Sequence, residues 1–275
     1  MNLIFYLCCL SKLILARECS CSSPLRTQSP VISTSAAVGK RGLAYNEAYL
    51  ANNFLKQDLK CSWAYNWDSA DNGLAKGVEF VPMLWGQKTV PQFQKNINYD
   101  SLRENKYKYI LGFNEPDHPS QANMPVEEAV DAHIVYLDKY ANVTLLSSPA
   151  VTSDEGGGPQ DRGLDWLRKF LDLCDRRGCK VDFCAVHWYG NTTQADNLFS
   201  FLRDAHSTCH GKPIWLTEFN AKGSSAEVSS FLRKVLPVLD GLDFIQRYAW
   251  FMATTGNLLE SPDTLSEYGR VYATL

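Results

Sequence analysis

Val181-Asp-Phe-Cys-Ala-Val-His-Trp-Tyr189, Asn197-Leu-Phe-Ser-Phe-Leu-Arg-Asp-Ala205 and Pro213-Ile-Trp-Leu-Thr-Glu-Phe219 follow one another in the chain. The outer two stretches are short and apolar through their middles, as parallel strands covered on both faces are. The middle stretch is amphipathic at helical spacing. Together they read as strand, helix, strand. The same alternation extends in both directions. Further β-rich runs occupy Arg41–Asn46, Cys61–Trp67, Glu79–Trp85, Tyr109–Glu115, Val143–Val151 and Phe244–Phe251, which makes eight in all. Helical stretches are expected at Val126–Tyr140, at Leu164–Cys174 with Gly178 closing the helix, and at Val228–Leu239. The helices after the second and third strands are shorter and poorly marked. Eight such units predict an α/β fold, a single (β/α)₈ TIM barrel. A barrel uses about 250 residues, and the chain has 275. The alternative, an open doubly wound sheet, often carries a Gly-rich turn after its first strand, and Arg41-Gly-Leu-Ala-Tyr-Asn46 has none.

The barrel is expected over residues 41–275. Residues 1–16 read as a secretory leader: an apolar stretch too short for an ordinary membrane helix, interrupted by Lys12. Residues 17–40, rich in Ser, Thr and Pro, read as an N-terminal extension. A secreted or cell-wall location follows, with no membrane association once the leader is removed. Cys8 and Cys9 would leave with the leader, and the seven cysteines that remain suit that compartment, the odd count leaving at least one unpaired or intermolecular. Cys174, Cys179 and Cys184 lie five apart, wider than the close pairs of zinc sites, and read as disulfides or core thiols. Asn142-Val-Thr144 and Asn191-Thr-Thr193 are glycosylation sequons if the chain is exported. The composition is 45% hydrophobic and 21% charged, which argues against disorder. A net charge of −3 provides no basic field for nucleic acid. A monomer is expected, with no cofactor and no metal site.

The strand ends carry the chemistry. Strand four ends Gly112-Phe-Asn-Glu-Pro-Asp117, strand six Ala185-Val-His-Trp-Tyr-Gly190 and strand seven Trp215-Leu-Thr-Glu-Phe-Asn220. Active sites of such barrels sit at these C-terminal ends. Glu115 and Glu218 each follow an apolar run, where a lone carboxylate would be costly to bury. Strands four and seven lie across the barrel mouth from each other, so the carboxyls can flank one bond. Two carboxylates among aromatic side chains suit glycoside hydrolysis, one protonating the leaving oxygen while the other attacks or activates water. A salt-bridged rim pair is the structural alternative. His187 and Tyr189 are candidates to hydrogen-bond Glu218 or touch a sugar. Trp63, Trp67, Trp85 and Trp250 are candidates to stack on sugar rings, some of them being core instead. Trp166 and Trp215 read as packing, and His118, His133, His206 and His210 as surface or rim. Ala221-Lys-Gly-Ser-Ser225 reads as a flexible loop, not an anion nest.

These motifs, with the closing Leu265-Ser-Glu-Tyr-Gly-Arg-Val-Tyr272, resemble glycoside hydrolase family 128, the alkali-sensitive-linkage type, from about Gly42 to Tyr272. The resemblance implies hydrolysis of β-1,3-glucan, usually internal, with retention of configuration. Glu115 would be the acid/base, Glu218 the nucleophile, and Asn114 the contact to the sugar 2-hydroxyl. The partner implied is a β-glucan polysaccharide or oligosaccharide. On this reading Glu115 should titrate above the usual carboxylate range, raised by the charge of Glu218. Another β-glycanase, acting on cellulose or mannan, is the nearest rival. A wall protein that binds carbohydrate without cleaving it is another.

Overall fold

The computed structural model describes residues 39–58, 60–154 and 161–275. The leader at 1–16 and nearly all of the 17–40 extension lie outside them. From Gly39 onward the order is that of the predicted barrel. β1 (Arg41–Ala44) precedes α1 (Ala48–Leu55), and β2 (Trp63–Tyr65) runs through a long loop into β3 (Glu79–Phe80). Two short helices, α2 (Val90–Asn96) and α3 (Tyr99–Asn105), lead to β4 (Tyr109–Ile110). Then come α4 (Val126–Tyr136), β5 (Leu145–Leu146), α5 (Gly163–Arg177) and β6 (Cys184–Asn191). The chain continues through α6 (Ala195–Thr208), β7 (Ile214–Lys222), α7 (Ser225–Gly241) and β8 (Ile245–Trp250). A hairpin of β9 (Leu259–Ser261) and β10 (Thr264–Leu265) precedes α8 (Glu267–Thr274). No helix among the described residues is long and apolar enough to cross a membrane.

The regular pairing forms a parallel six-stranded sheet, ordered β3-β2-β1-β8-β7-β6, and a parallel β4-β5 pair. Single parallel bridges, Met83 to Leu111 and Ser147 to Phe183, join the two and complete the circuit of eight strands. Several expected strands are shorter than read, because the chain leaves the ladder early and continues extended toward the mouth. Local chemistry sets the helix ends. Ser224 accepts from the Glu227 N–H while the Glu227 carboxylate accepts from the Ser224 N–H, a reciprocal cap for α7. Gly178 closes α5 in the left-handed region, φ 73°. Disulfides join Cys174 to Cys179 at the end of α5, and Cys184 of β6 to Cys209 after α6. Cys61 is free. The sequon residues Asn142 and Asn191 are both exposed.

Strand alternation divides the core in two. The outer layer packs strands against helices. The inner layer fills the barrel with Ala44, Trp63, Tyr65, Val81, Met83, Leu111, Phe183, Trp215 and Ala249. Trp63 belongs to this plug. It is fully buried, its ring lies 5.1 Å from that of Trp215, and its indole N–H donates to the Lys40 carbonyl. A Cβ on Gly42 would meet the Trp63 ring at 2.1 Å, so only glycine lets β1 pass it. Below, the Arg247 guanidinium lies over Trp215 and Tyr109, 4.5 Å from each ring centre, and pairs with Glu79 at 2.5 Å. Trp63 is therefore core and not a sugar platform. Trp250 is core as well. It is buried in the outer layer, facing Phe219 at 5.0 Å and Phe231 at 6.5 Å. Trp166 and Trp215 are packing residues as expected. His133, expected at the surface, is fully buried on α4 with Nε2 hydrogen-bonded to the Lys180 carbonyl.

Because Trp63 is fully buried among the side chains that fill the barrel, Trp63→Ala should cost about 3–5 kcal/mol in chemical denaturation. Trp85→Ala, at the mouth, should cost far less. Equal losses would contradict this division between plug and mouth.

Candidate active site

Above the plug, at the C-terminal ends of the strands, a cleft of about 760 Å³ opens. Asn46, Trp67, Trp85, Asn114, Glu115, Tyr189, Glu218 and Phe251 line it, with Thr152, Ser153 and Asp154 forming one wall.

Each site residue is there for a local reason. Glu115 follows β4, and its N–H donates to the Ala150 carbonyl at 2.7 Å. Its φ of 44° lies in the left-handed region, as does that of Trp67 at 59°. Such backbone is costly for residues carrying a Cβ and persists only where the surroundings hold it. Asp117 supplies part of that hold. Its buried carboxylate accepts from the Thr152 hydroxyl at 2.6 Å and the Gly163 N–H at 2.8 Å, tying the Glu115 turn to the loop after β5. Glu218 reaches the interior through an irregularity of β7. Val186 pairs with Leu216, but His187 pairs with Glu218, so Thr217 is an extra residue in the ladder. Strict alternation from inward-facing Trp215 would turn Glu218 outward, and this bulge turns it inward.

The two carboxylates converge on His187. One oxygen from each and one ring nitrogen lie within 4.8 Å of one another. Nδ1 of His187 hydrogen-bonds Glu115 Oε1 at 2.8 Å, and Nε2 hydrogen-bonds the Thr217 hydroxyl at 3.0 Å. Nε2 also lies 3.5 Å from Glu218 Oε1. The Trp67 indole donates to Glu218 Oε1 at 2.7 Å, and the Tyr189 hydroxyl donates a short hydrogen bond to Glu218 Oε2. Beneath them Tyr65 donates to the Thr217 carbonyl at 2.9 Å. Glu115, His187 and Glu218 are spaced closely enough to share a cation, but each is already engaged in this protein network.

The electrostatics correct one expectation. Burial pushes Glu115 upward, but the His187 hydrogen bond and charge outweigh it and hold Glu115 below the usual carboxylate range. Glu115 is lowered where the sequence reading had it raised. Burial pushes His187 down, but the charge of Glu218, then the bond to Glu115 and its charge, lift it above the ordinary histidine value. Both directions favour the imidazole over the Glu115 carboxyl as the holder of a proton. Burial and then the charge of Glu218 push the Tyr189 phenol far up, so it remains a donor.

Of the residues proposed from sequence, Glu115, Glu218, Asn114, Trp67, Trp85 and Tyr189 line the cleft. His187 is fully buried beneath it. Asn114 donates to Gln121 at 3.2 Å, while its carbonyl oxygen is buried without a partner among the described residues. Lys88 places its ammonium 3.8 Å from the centre of the Trp85 ring. Trp63 and Trp250 do not reach the cleft. At the end of β8, Ala249 and the following Phe251 face inward, and Trp250 points outward between them. The sequence reading also missed Thr217, Asp117 and Asn46. Parity counted along β1 and β8 would have found Asn46 and Phe251. The bulge that recruits Thr217 has no sequence mark.

Residues 42–272 match the family described as glycosyl hydrolase catalytic core. Alkali-sensitive linkage protein 1 of Schizosaccharomyces pombe is 30% identical over 86% of this chain, which spans 45% of that protein's length. A curdlan-specific exo-β-1,3-glucanase of family 128, subgroup III, from Blastomyces gilchristii superposes with a TM-score of 0.78. It is 37% identical and is matched over its whole length by 88% of this chain. A subgroup I endo-β-1,3-glucanase from Amycolatopsis mediterranei, seen with laminaritriose, gives a TM-score of 0.71 at 31% identity, over 85% of this chain and 98% of its own. These similarities bear out the resemblance read from the strand-end motifs: the chain belongs to the glycosyl hydrolase catalytic core family.

Proposed function

We propose that this protein is a retaining endo-β-1,3-glucanase, exported and acting on wall or extracellular β-glucan, with Glu115 as acid/base and Glu218 as nucleophile. The observation that carries this reading is that one oxygen of each carboxylate and a ring nitrogen of His187 lie within 4.8 Å of one another, which supports the closer spacing. Retaining sites hold their carboxyls about 5–5.5 Å apart, whereas inverting sites leave about 6.5–9.5 Å for a water. The glucanase character of the similar structures supports the substrate class. The alkali-sensitive-linkage relative supports the wall location.

In this reading a glucan chain lies along the cleft with Trp85 and Trp67 against sugar faces. The unpartnered Asn114 oxygen accepts from the 2-hydroxyl of the ring at the cleavage point. That ring excludes water, and the proton on His187 Nδ1 passes to Glu115 Oε1 along the existing hydrogen bond. Glu115 then protonates the leaving oxygen while Glu218 forms a bond to the anomeric carbon. Trp67 and Tyr189 orient Glu218 for this attack and stabilise its charge until the bond forms. Glu115, now a carboxylate, removes a proton from water, and the hydroxide so formed displaces Glu218 with a second inversion. Net configuration is retained.

Glu218→Gln should abolish turnover while leaving glucan binding intact. Glu115→Ala should lower turnover on unactivated glucan by about 10²–10⁴-fold, less on aryl glycosides with good leaving groups, and azide should rescue it. NMR of the first product should show the β-anomer. An initial α-anomer, or faster hydrolysis of cellulose or mannan than of β-1,3-glucan, would defeat the proposal. No hydrolysis of any of them, with binding intact, would favour a carbohydrate-binding wall protein.

The shared proton makes a separate, pH-dependent prediction. Glu115 is depressed, so its contribution to stability is present above its ordinary 4.5 and is lost as pH falls through its folded value. His187 is raised, so its contribution is present below its ordinary 6.5 and is lost as pH rises through its folded value. The stability difference between wild type and His187→Gln should peak between those limits and shrink on both sides. A flat difference in denaturant midpoints across the carboxylate and histidine ranges would show that the proton is not held there.

A further inference from the structure

Thr217, the extra residue of the β7 bulge, is fully buried. A buried hydroxyl is costly unless it is hydrogen-bonded. Both polar groups of Thr217 have partners on opposite sides. Its carbonyl accepts from the hydroxyl of Tyr65, a member of the aromatic plug, at 2.9 Å. Its hydroxyl meets Nε2 of His187 at 3.0 Å. The bulge that turns Glu218 inward thus also fixes a neutral hydroxyl beside the imidazole.

The second nitrogen of His187 has two oxygens in reach. Nδ1 is engaged by Glu115 Oε1 at 2.8 Å. Nε2 lies 3.0 Å from the Thr217 hydroxyl and 3.5 Å from Glu218 Oε1. Charge alone would favour the carboxylate, because hydrogen bonds to an ionised acceptor are roughly twice as strong as neutral ones. The geometry is the reverse. The oxygens of Glu218 are held by the Trp67 indole, at 2.7 Å, and the Tyr189 hydroxyl. A bare Nε2 would aim its lone pair beside the Glu218 anion, so Nε2 carries a hydrogen and Thr217 accepts it.

We infer that Thr217 is a positioning residue that keeps His187 on the acid/base and off the nucleophile. The inference rests on the glucanase reading, with Glu115 and Glu218 in those roles, and deepens it. A histidine bonded to both carboxylates would draw electron density from the Glu218 oxygen that must attack the anomeric carbon. It would also stretch the bond through which Glu115 receives its proton. Tying Thr217 to the plug through Tyr65 holds the hydroxyl where it intercepts Nε2–H first.

The test removes the hydroxyl and compares two substrates. Thr217→Val keeps the side-chain shape, Thr217→Ala removes the hydroxyl without crowding, and Thr217→Ser retains it. kcat/KM is measured on β-1,3-glucan and on an aryl β-laminaribioside whose leaving group needs little protonation. Val and Ala should lower it by about ten- to a hundredfold on both substrates, the scale of one hydrogen bond to a charged group. Ser should keep most of the activity. A crystal structure of Thr217→Val should show Nε2 moved onto Glu218 Oε1 at ordinary hydrogen-bond length. A loss confined to the unactivated glucan would place the defect in proton delivery alone and overturn the inference. Unmoved His187 in Thr217→Val, unchanged rates in Val and Ala, or an equal loss in Ser would overturn it too. Each of these leaves the glucanase reading intact. Failure of the unmodified protein to cleave any β-1,3-glucan would overturn both.

Discussion

Two carboxylates over a buried imidazole, with one oxygen of each within 4.8 Å of the other, are the arrangement on which the upper half of this barrel depends. Unit charges at that separation repel by on the order of 3 kcal/mol at an effective dielectric constant of about 20. The network meets this cost in two ways. His187, lifted above its ordinary value by Glu218 and Glu115, offsets the like charges to the extent that it holds a proton. Trp67 and Tyr189 donate to both oxygens of Glu218, so its charge is spread over hydrogen bonds and not left to face Glu115. Without His187, burial pushes Glu115 upward with only the charge of His118 acting against it.

The scaffold can be read as what it takes to hold that cluster. A bulge of one residue in β7 turns Glu218 inward and presents the Thr217 hydroxyl to the far nitrogen of His187. Left-handed backbone at Glu115 and Trp67 aims both side chains across the mouth. The Asp117 carboxylate, buried and bonded to Thr152 and Gly163, fixes the loop that makes such a turn tolerable. The aromatic plug of Trp63, Tyr65 and Trp215 closes the interior from below and carries the floor on which His187 rests. These features belong to different strands, which is why a closed circuit of eight short parallel strands serves better here than a few long ones.

The barrel and the two glutamates were legible because each rests on a local pattern. An apolar run with a polar end marks a strand and its mouth, and repeating it eight times fixes the class. What the sequence withheld depends on parity and depth. Trp63 on the second strand and Trp67 just beyond its end both point inward, yet one lies in the plug and the other in the cleft, and composition does not measure depth. Trp250 and Phe251 differ by one position and therefore by face, with the smaller aromatic receiving the cleft. The lowered state of Glu115 was hidden for another reason. It arises from a histidine 72 residues away in sequence, and only the closed barrel brings them to 2.8 Å.

A depressed Glu115 at first sight opposes the proposed acid role, since an acid must carry a proton. The opposition disappears once the proton is assigned to the pair. A carboxylate bonded to an imidazolium at 2.8 Å is one transfer from a carboxylic acid bonded to a neutral imidazole. Which form prevails depends on how well the surroundings solvate separated charge. The open cleft favours the ion pair. A sugar ring that displaces water from above Glu115 removes solvation from the carboxylate, while His187, already fully buried, loses none. Substrate entry thus shifts the proton toward Glu115. In the proposed mechanism, bonding of the anomeric carbon to Glu218 consumes the anion that most strongly lifts His187, which favours the neutral imidazole further. On that proposal, the same attack that expels the leaving group weakens the hold of His187 on the proton which that group must receive.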